Sequence, residues 1–240
     1  MFFWSELYWD KGKRRGNEDS VSLQEVWLEG KKTVFAMVCD GIGGLAAGET
    51  ASGFAAQQMT DWFYREALVM LKRKKGRRKI GKAGMRVLYE CNAEMNRFAK
   101  MTGSQMGTTV TALLLYQEWY LLWHSGDTRL YRLTGTGRRK RMIRLTEDHA
   151  ADGNTLIRCI GSFSWIPPDV KSGRVRKKTV FVICSDGFRN CICEERIGDA
   201  FWPEVVRSRE NVRMVLKEIA GYVKRRGEKD NISAVVIKAE

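Results

Sequence analysis

The chain is short of several things, and each shortage excludes a class of protein. Only 3 prolines occur in 240 residues, with no Ser/Gly-rich stretch and no internal repeat, so neither a flexible linker nor a repeat array is expected. Histidine is scarcer still, at 2, and Cys191-Ile192-Cys193 lacks the usual zinc spacing, so zinc is not expected. No apolar run is long enough to span a bilayer. The apolar start MFFW is broken by Ser5, Glu6 and Asp10 too early for a secretion signal. The 6 cysteines sit mostly in apolar contexts and read as reduced thiols of a cytoplasmic protein. Acidic residues are also scarce, 28 against 42 basic ones, for a formal net charge of +14. That balance favours anionic partners. Much of the excess lies in KRKKGRRKIGK at 72–82 and RRKR at 138–141. Aromatic residues do not interleave with these runs, as a single-strand nucleic-acid platform would require, so nucleic acid is not expected as a partner.

What is present suits one domain over 1–240, with 44% hydrophobic residues. TVFAMVC at 33–39 reads as a buried strand and a helix as running from 46 to 71. A second helix is expected over 83–99, with the first basic run as the connection. Short strands follow at 108–116, 119–124, 129–133 and 140–145, with turns between them. The span 147–170 gives no clear pattern. TVFVIC at 179–184 and ISAVVIK at 232–238 read as strands flanking helices at 194–207 and 211–226. This order predicts α+β with antiparallel sheets.

The glycine turn in VCDGIGGLAAGE admits two chemistries. Gly41-x-Gly43-x-x-Ala46 fits a dinucleotide loop, with Asp61 twenty residues on. But Asp61 sits in a helical pattern and no second parallel strand intervenes. The other chemistry comes from repetition. VCDG and CSDG end strong strands on aspartate, KDN opens the last strand, and Asn17-Glu18-Asp19 stands beside another. Acids gathered at strand ends repel, and divalent cations relieve the repulsion. Carboxylates without His or Cys suit Mg²⁺ or Mn²⁺.

The ordered set RRGNED, VCDGIGGLAAGETAS, MGTTVTALLL, HSGDTRLYRL, LTEDHA, IRCIG, VICSDGF and EKDNISAVVI closely resembles the metal-dependent protein phosphatases, the PP2C-like serine/threonine phosphatases, bacterial type. The resemblance runs from about Ser5 to Lys238. It implies a four-layer α/β/β/α sandwich of two antiparallel sheets flanked by helix pairs, with cations at one edge. It implies metal ligands at Glu18, Asp19, Asp40, Asp186 and Asp230, with the Gly41 carbonyl, and two Mn²⁺ or Mg²⁺ ions. Asp127 matches an additional, third-metal position, with Glu194 at the place of its partner. Arg14 matches the arginine that holds substrate phosphate, and Asp40 is the expected bridging carboxylate. The implied activity is hydrolysis of phosphoserine and phosphothreonine in proteins by a hydroxide bridging two cations, opposed by a serine/threonine kinase.

The chain departs from the pattern in two places. Ile42 stands where some members carry a histidine within DG-x-GG. The flap between LTEDHA and IRCIG, about 149–161, is short, which predicts an open site in which the basic runs could hold substrate instead. His124 and His149 are expected to be structural, and Thr108 and Thr109 to mark strand entry. The alternative reading is a catalytically weak or inactive phosphoprotein-binding module on the same fold.

Overall fold

The computed structural model describes residues 1–42, 47–151, 155–161 and 164–240. Of the expected flap at 149–161, residues 152–154 lie outside the described residues, as do 43–46 of the glycine turn. The strands are β1 (Phe3–Asp10), β2 (Asp19–Leu28), β3 (Lys31–Asp40), β4 (Val110–Tyr116), β5 (Trp119–Ser125), β6 (Arg129–Thr134), β7 (Arg141–Arg144), β8 (Ala150–Ala151), β9 (Thr155–Leu156), β10 (Asp169–Arg174), β11 (Thr179–Cys184) and β12 (Ile232–Ala239). The helices are α1 (Gly48–Trp62), α2 (Leu68–Lys72), α3 (Arg77–Thr102), α4 (Asp186–Arg189), α5 (Glu194–Phe201) and α6 (Arg209–Arg225).

Two five-stranded sheets carry the fold, in the orders β1-β12-β11-β6-β7 and β10-β5-β4-β3-β2. All their pairings are antiparallel. Strand parity builds the layers, because successive side chains point to opposite faces. Val34, Ala36 and Val38 meet Phe181, Ile183, Val235 and Ile237 between the sheets. Phe35, Met37 and Cys39 face the other way, onto α1 and α3. Val180, Val182, Ala234 and Val236 likewise face α5 and α6. A strand buried on both faces has no polar side, which is why 33–39 and 179–184 read as continuous apolar runs despite antiparallel pairing. Phe181 is fully buried between the sheets, and truncating such a side chain to alanine costs about 3–5 kcal/mol.

The helices differ from expectation in instructive ways. The first is interrupted by a π turn at Phe63–Ala67. The extra residue lets neighbouring aromatics both face the sheet: Trp62 sits edge-on to Trp123 at 5.4 Å and Phe63 stacks on Phe35 at 5.2 Å. The second helix begins at Arg77 rather than 83, so part of the basic run is helical. Its first turns pack through Gly81 and Gly84, whose contacts a hydrophobic count overlooks. Trp123 donates Nε1–H to the Gly81 carbonyl at 2.9 Å, and a Cβ on Gly84 would stand 2.7 Å from the same indole. The helix expected over 194–207 stops at Phe201. β1 and β10 were not expected as strands, because neither offers a clear apolar period: β10 reads DVKSGR, alternating half-buried and exposed. β1 pairs along its whole length with β12, which supplies the register.

The antiparallel order sorts the chain between two ends. β2 begins at Asp19, β3 ends at Asp40, β11 stops just before Asp186 and β12 starts just after Asp230, all at one end. The turns 29–30, 117–118, 135–140 and 175–178 lie at the other.

Candidate active site

At the first end, Asp19 and Asp40 are direct cross-strand partners on β2 and β3. Like charges placed opposite each other on a sheet are destabilising unless something offsets them. Asp19 is 1% exposed, and neither of its carboxylate oxygens has a hydrogen-bond partner. Burial pushes its pKa up to about 7, helped by Asp186 and Asp230 and partly offset by the nearby Ser233 and Ser185 hydroxyls. Neither hydroxyl is in hydrogen-bonding geometry with the carboxylate, so the buried charge is left essentially uncompensated. Asp40 is pushed well above the usual carboxylate range by burial and by Asp19, Asp186, Asp127 and Asp230 around it. Asp186 is raised by burial and by Asp230, and its Oδ1 is also unpartnered. Unpaired buried carboxylates cost several kcal/mol each as anions. Their convergence from both sheets is what a hard cation requires, and the donor set, all oxygen, suits Mg²⁺ or Mn²⁺.

Backbone packing enforces the convergence. Gly41 donates N–H to the Glu18 carbonyl at 3.1 Å, and a Cβ there would stand 2.4 Å from the Gly48 carbonyl oxygen. A Cβ on Gly187 would lie 2.1 Å from the Asn231 carbonyl oxygen, so only glycine lets the Asp186 and Asp230 segments approach. Glu18 sits over the start of α1: a Cβ on Gly48 would reach 2.7 Å from its Oε2. Trp9 on one sheet donates Nε1–H to the Asp19 carbonyl on the other at 2.8 Å.

Several residues with positioning roles were overlooked in the sequence. Asn231, 4% exposed, accepts from Glu18 N–H at 2.9 Å and donates to the carbonyls of Lys11 and Gly16 at 2.9 and 3.0 Å. It thereby fixes the RRGNED turn that presents Arg14 and Glu18. Thr108 and Thr109 do more than open a strand. Thr109 Oγ1 accepts from Asp40 N–H at 2.9 Å, and Thr108 Oγ1 donates to the Asp40 carbonyl at 3.0 Å. The asparagine beside Asp230 and the paired threonines after Gly107 were visible as residues, but their partners lie far off in the chain.

Arg14 lies among the acids, with its fork on Asp230: Nε to Oδ1 at 3.0 Å and Nη2 to Oδ2 at 2.8 Å. Glu18 and Asp186 are near enough to strengthen its hold on its proton. Asp127 belongs to the same group, its pKa raised to about 6 by burial and by Asp186, with Arg189 Nη2 at 3.5 Å. Among the described residues, no three His, Cys, Asp or Glu side chains are already closed into a metal cage. Two of the acids are instead drawn onto Arg14 and Arg189.

Glu194 is a correction. It accepts from Arg129 Nη1 at 3.0 Å and from Tyr131 Oη at 3.0 Å rather than joining Asp127. Asp148, forked onto Arg129, is the acid whose charge Asp127 feels after that of Asp186. The helix-start position of Glu194 suggested proximity, but the Arg129 guanidinium claims its carboxylate. The basic runs are a second correction. Arg139 and Arg141 lie at the turn end of β6 and β7, and Lys74, Lys75 and Arg77 beside Gln117 and Trp119, the far end of the sandwich from the acids.

The histidines are structural, as expected. His124 is fully buried between Thr111 Oγ1 at 2.9 Å and the Glu147 carbonyl at 2.8 Å. Burial pushes its pKa down to about 4. His149 Nδ1 accepts from Gly126 N–H at 3.1 Å and so braces the turn before Asp127. The thiols near the acids are inert: burial pushes Cys184 up to about 12 and Cys39 well above its ordinary value.

No family model matches the chain. The serine/threonine phosphatase Stp of Listeria innocua is 24% identical over 257 residues, covering 98% of this chain and 95% of the relative. PppA, a regulatory component of the type VI secretion system in Pseudomonas aeruginosa, superposes with a TM-score of 0.81 at 23% identity, over 100% of this chain and 99% of that one. The catalytic domain of the serine/threonine phosphatase PstP, solved with 2 manganese ions, superposes with a TM-score of 0.77 at 22% identity over 99% of each chain. The chain is thus similar over its full length to serine/threonine phosphatases in sequence, and it shares the four-layer sandwich of PppA and PstP.

Proposed function

We propose that the chain, acting as one domain, removes phosphate from phosphoserine and phosphothreonine in proteins, with Mn²⁺ or Mg²⁺ held by Glu18, Asp19, Asp40, Asp186, Asp230 and the Gly41 carbonyl. The observation that carries this is Asp19: a buried carboxylate with two unpartnered oxygens, directly across from a second aspartate. Divalent cations supply Lewis acidity and an activated water at neutral pH. Asp127 is the acid closest in character to a further ligand, without Glu194.

The chain's own groups do the rest. Arg14 offers a planar fork, half exposed, which matches two phosphate oxygens as it matches Asp230 here. Asn231, Thr108 and Thr109 hold the Glu18 and Asp40 backbones still, so the acids need not reorganise when charge builds on the phosphoryl group. Cys39 and Cys184 stay protonated, so no thiolate is at hand and no phosphocysteine forms. Ile42 offers no proton to the leaving oxygen. The substrates are proteins phosphorylated by a serine/threonine kinase. No described helix is long and apolar enough to cross a membrane.

The test is hydrolysis of a phosphothreonine peptide with Mn²⁺, Mg²⁺ or EDTA, beside Asp186→Ala. Cation-dependent turnover that disappears in the variant supports the reading. A folded protein with no turnover in any cation would replace it with a phosphoprotein-binding role.

A further inference from the structure

The far end of the sandwich holds a cavity of about 600 Å³ at the mouth between the two sheets. One wall is Arg132, Arg139 and Arg141, from β6, β7 and the loop joining them. The other is Arg174 at the end of β10 with Arg176, Lys177 and Lys178 from the turn that follows. Thr134, Thr136 and Thr179 add hydroxyls, and no acidic or aromatic side chain lines the space. Among the described residues none of these cations makes an ion pair; Glu204 is occupied by Lys140 at 2.6 Å. Arg132 is half-buried, on the face of β6 that Leu130 turns toward the opposite sheet, and its Nε has no hydrogen-bond partner.

The walls are built, not draped. Lys178 holds a left-handed backbone, φ 58°, and its N–H is donated to the Ala239 carbonyl at 2.8 Å. Gly135, φ 82°, lets the loop fold back so closely that a Cβ would stand 2.0 Å from the Arg139 carbonyl oxygen. Unpaired cations held around one concavity repel each other, and an anion removes that cost. Guanidinium forks match phosphate oxygens in pairs, and more of them converge here than one phosphate could engage. The volume is that of a small-ligand site. A nucleic acid would use a stripe of charge with rings for its bases, which this lining lacks.

We propose that this cavity is a second anion site that binds a small ligand carrying adjoining phosphate groups. By strand length it stands roughly 20 Å from the acid cluster, and it does not depend on what that cluster does. The probe is inorganic triphosphate, titrated calorimetrically into the full chain, both with Mg²⁺ and in EDTA. The expected result is one-to-one binding in both conditions, at least about tenfold tighter than orthophosphate. Arg139→Glu with Arg176→Glu should weaken it at least about tenfold, as should Arg141→Glu with Lys177→Glu, while p-nitrophenyl phosphate turnover and the far-ultraviolet spectrum stay as in the parent. Binding that survives both charge reversals overturns the proposal, as does binding seen only with Mg²⁺. So does tighter, reversal-sensitive binding of a single-stranded RNA 12-mer or of phosphatidylglycerol vesicles, which would make the face a nucleic-acid or membrane surface instead.

Discussion

At one end of the sandwich the strands stop on Asp19, Asp40, Asp186 and Asp230; at the other, the turns between the same strands carry Arg139, Arg141, Arg176, Lys177 and Lys178. The two ends are alike in gathering charge of one sign, most of it unpaired, although Arg14 engages Asp230. They differ in depth. Asp19 is buried and Asp40, Asp186 and Asp230 half-buried on segments locked by Asn231, Thr108 and Thr109, and Asp19, Asp40 and Asp186 are shifted toward the neutral form by their surroundings. The cations are mostly solvated side chains on fixed turns. Buried charge does chemistry because a low dielectric amplifies every interaction there, whereas solvated charge collects ligands and is screened within about 8 Å. The comparison predicts large effects from single substitutions at the acid end and small ones at the other.

The largest is expected at Asp40. Asp40→Asn should lower phosphopeptide turnover by ~100-fold or more, the scale of losing one preorganised charged group. In EDTA the same variant should melt no lower than the parent, since one member of the repelling cross-strand pair is gone. Calorimetric melting beside a turnover assay reads both. A variant that unfolds instead would mean that Asp40 is structural, and the contrast between the ends would fail there.

Next comes Arg14. Replacing its fork with a point charge, Arg14→Lys, should raise KM for a phosphopeptide ~10-fold and leave the affinity for Mn²⁺ within about twofold. Unchanged kinetics would return Arg14 to a partner of Asp230 alone.

His124 gives a pH signature to the acid end. Its folded pKa, about 4, lies below the ordinary 6.5, so the unfolded chain binds the proton more readily. Stability is therefore full above about 6.5 and is lost as pH falls toward 4, by up to ~3 kcal/mol. Urea unfolding at pH 7 and pH 5 should show the drop in the parent and a smaller one in His124→Gln. Equal slopes would assign acid lability to other groups.

How far these contrasts were legible in the sequence follows from what each depends on. The doubly buried strands β3 and β11 announce themselves, because burial on both faces leaves an unbroken apolar run. The aspartates at their ends are legible for the same reason: a charge ending such a run is abrupt. β1 and β10 are invisible because pairing, not composition, makes them strands. Asn231 and the threonines at 108 and 109 were readable only as residues, since their partners lie far away in the chain. Glu194 was misplaced because a helix position says where a carboxylate starts, not that Arg129 and Tyr131 will claim it. The basic runs were legible as charge but not as location; only the strand order shows that they collect at the end away from the acids.

That location yields the smallest expected effect. Lys74 and Lys75 lie in the turn between α2 and α3, beside Gln117 and Trp119 at the far end. A strand's length, roughly 20 Å, separates that turn from Asp40, more than twice the screening length at physiological salt. Both side chains are exposed, so reversing them removes no buried contact. Lys74→Glu with Lys75→Glu should therefore change kcat/KM for a short phosphopeptide by less than about twofold at 0.15 M salt. A several-fold loss would show that the basic run reaches substrate after all, and the division of the molecule into a reacting end and a collecting end would have to be abandoned. A loss that appears only at low salt, and only with a large acidic phosphoprotein, would keep the division and assign the far end a part in long-range steering.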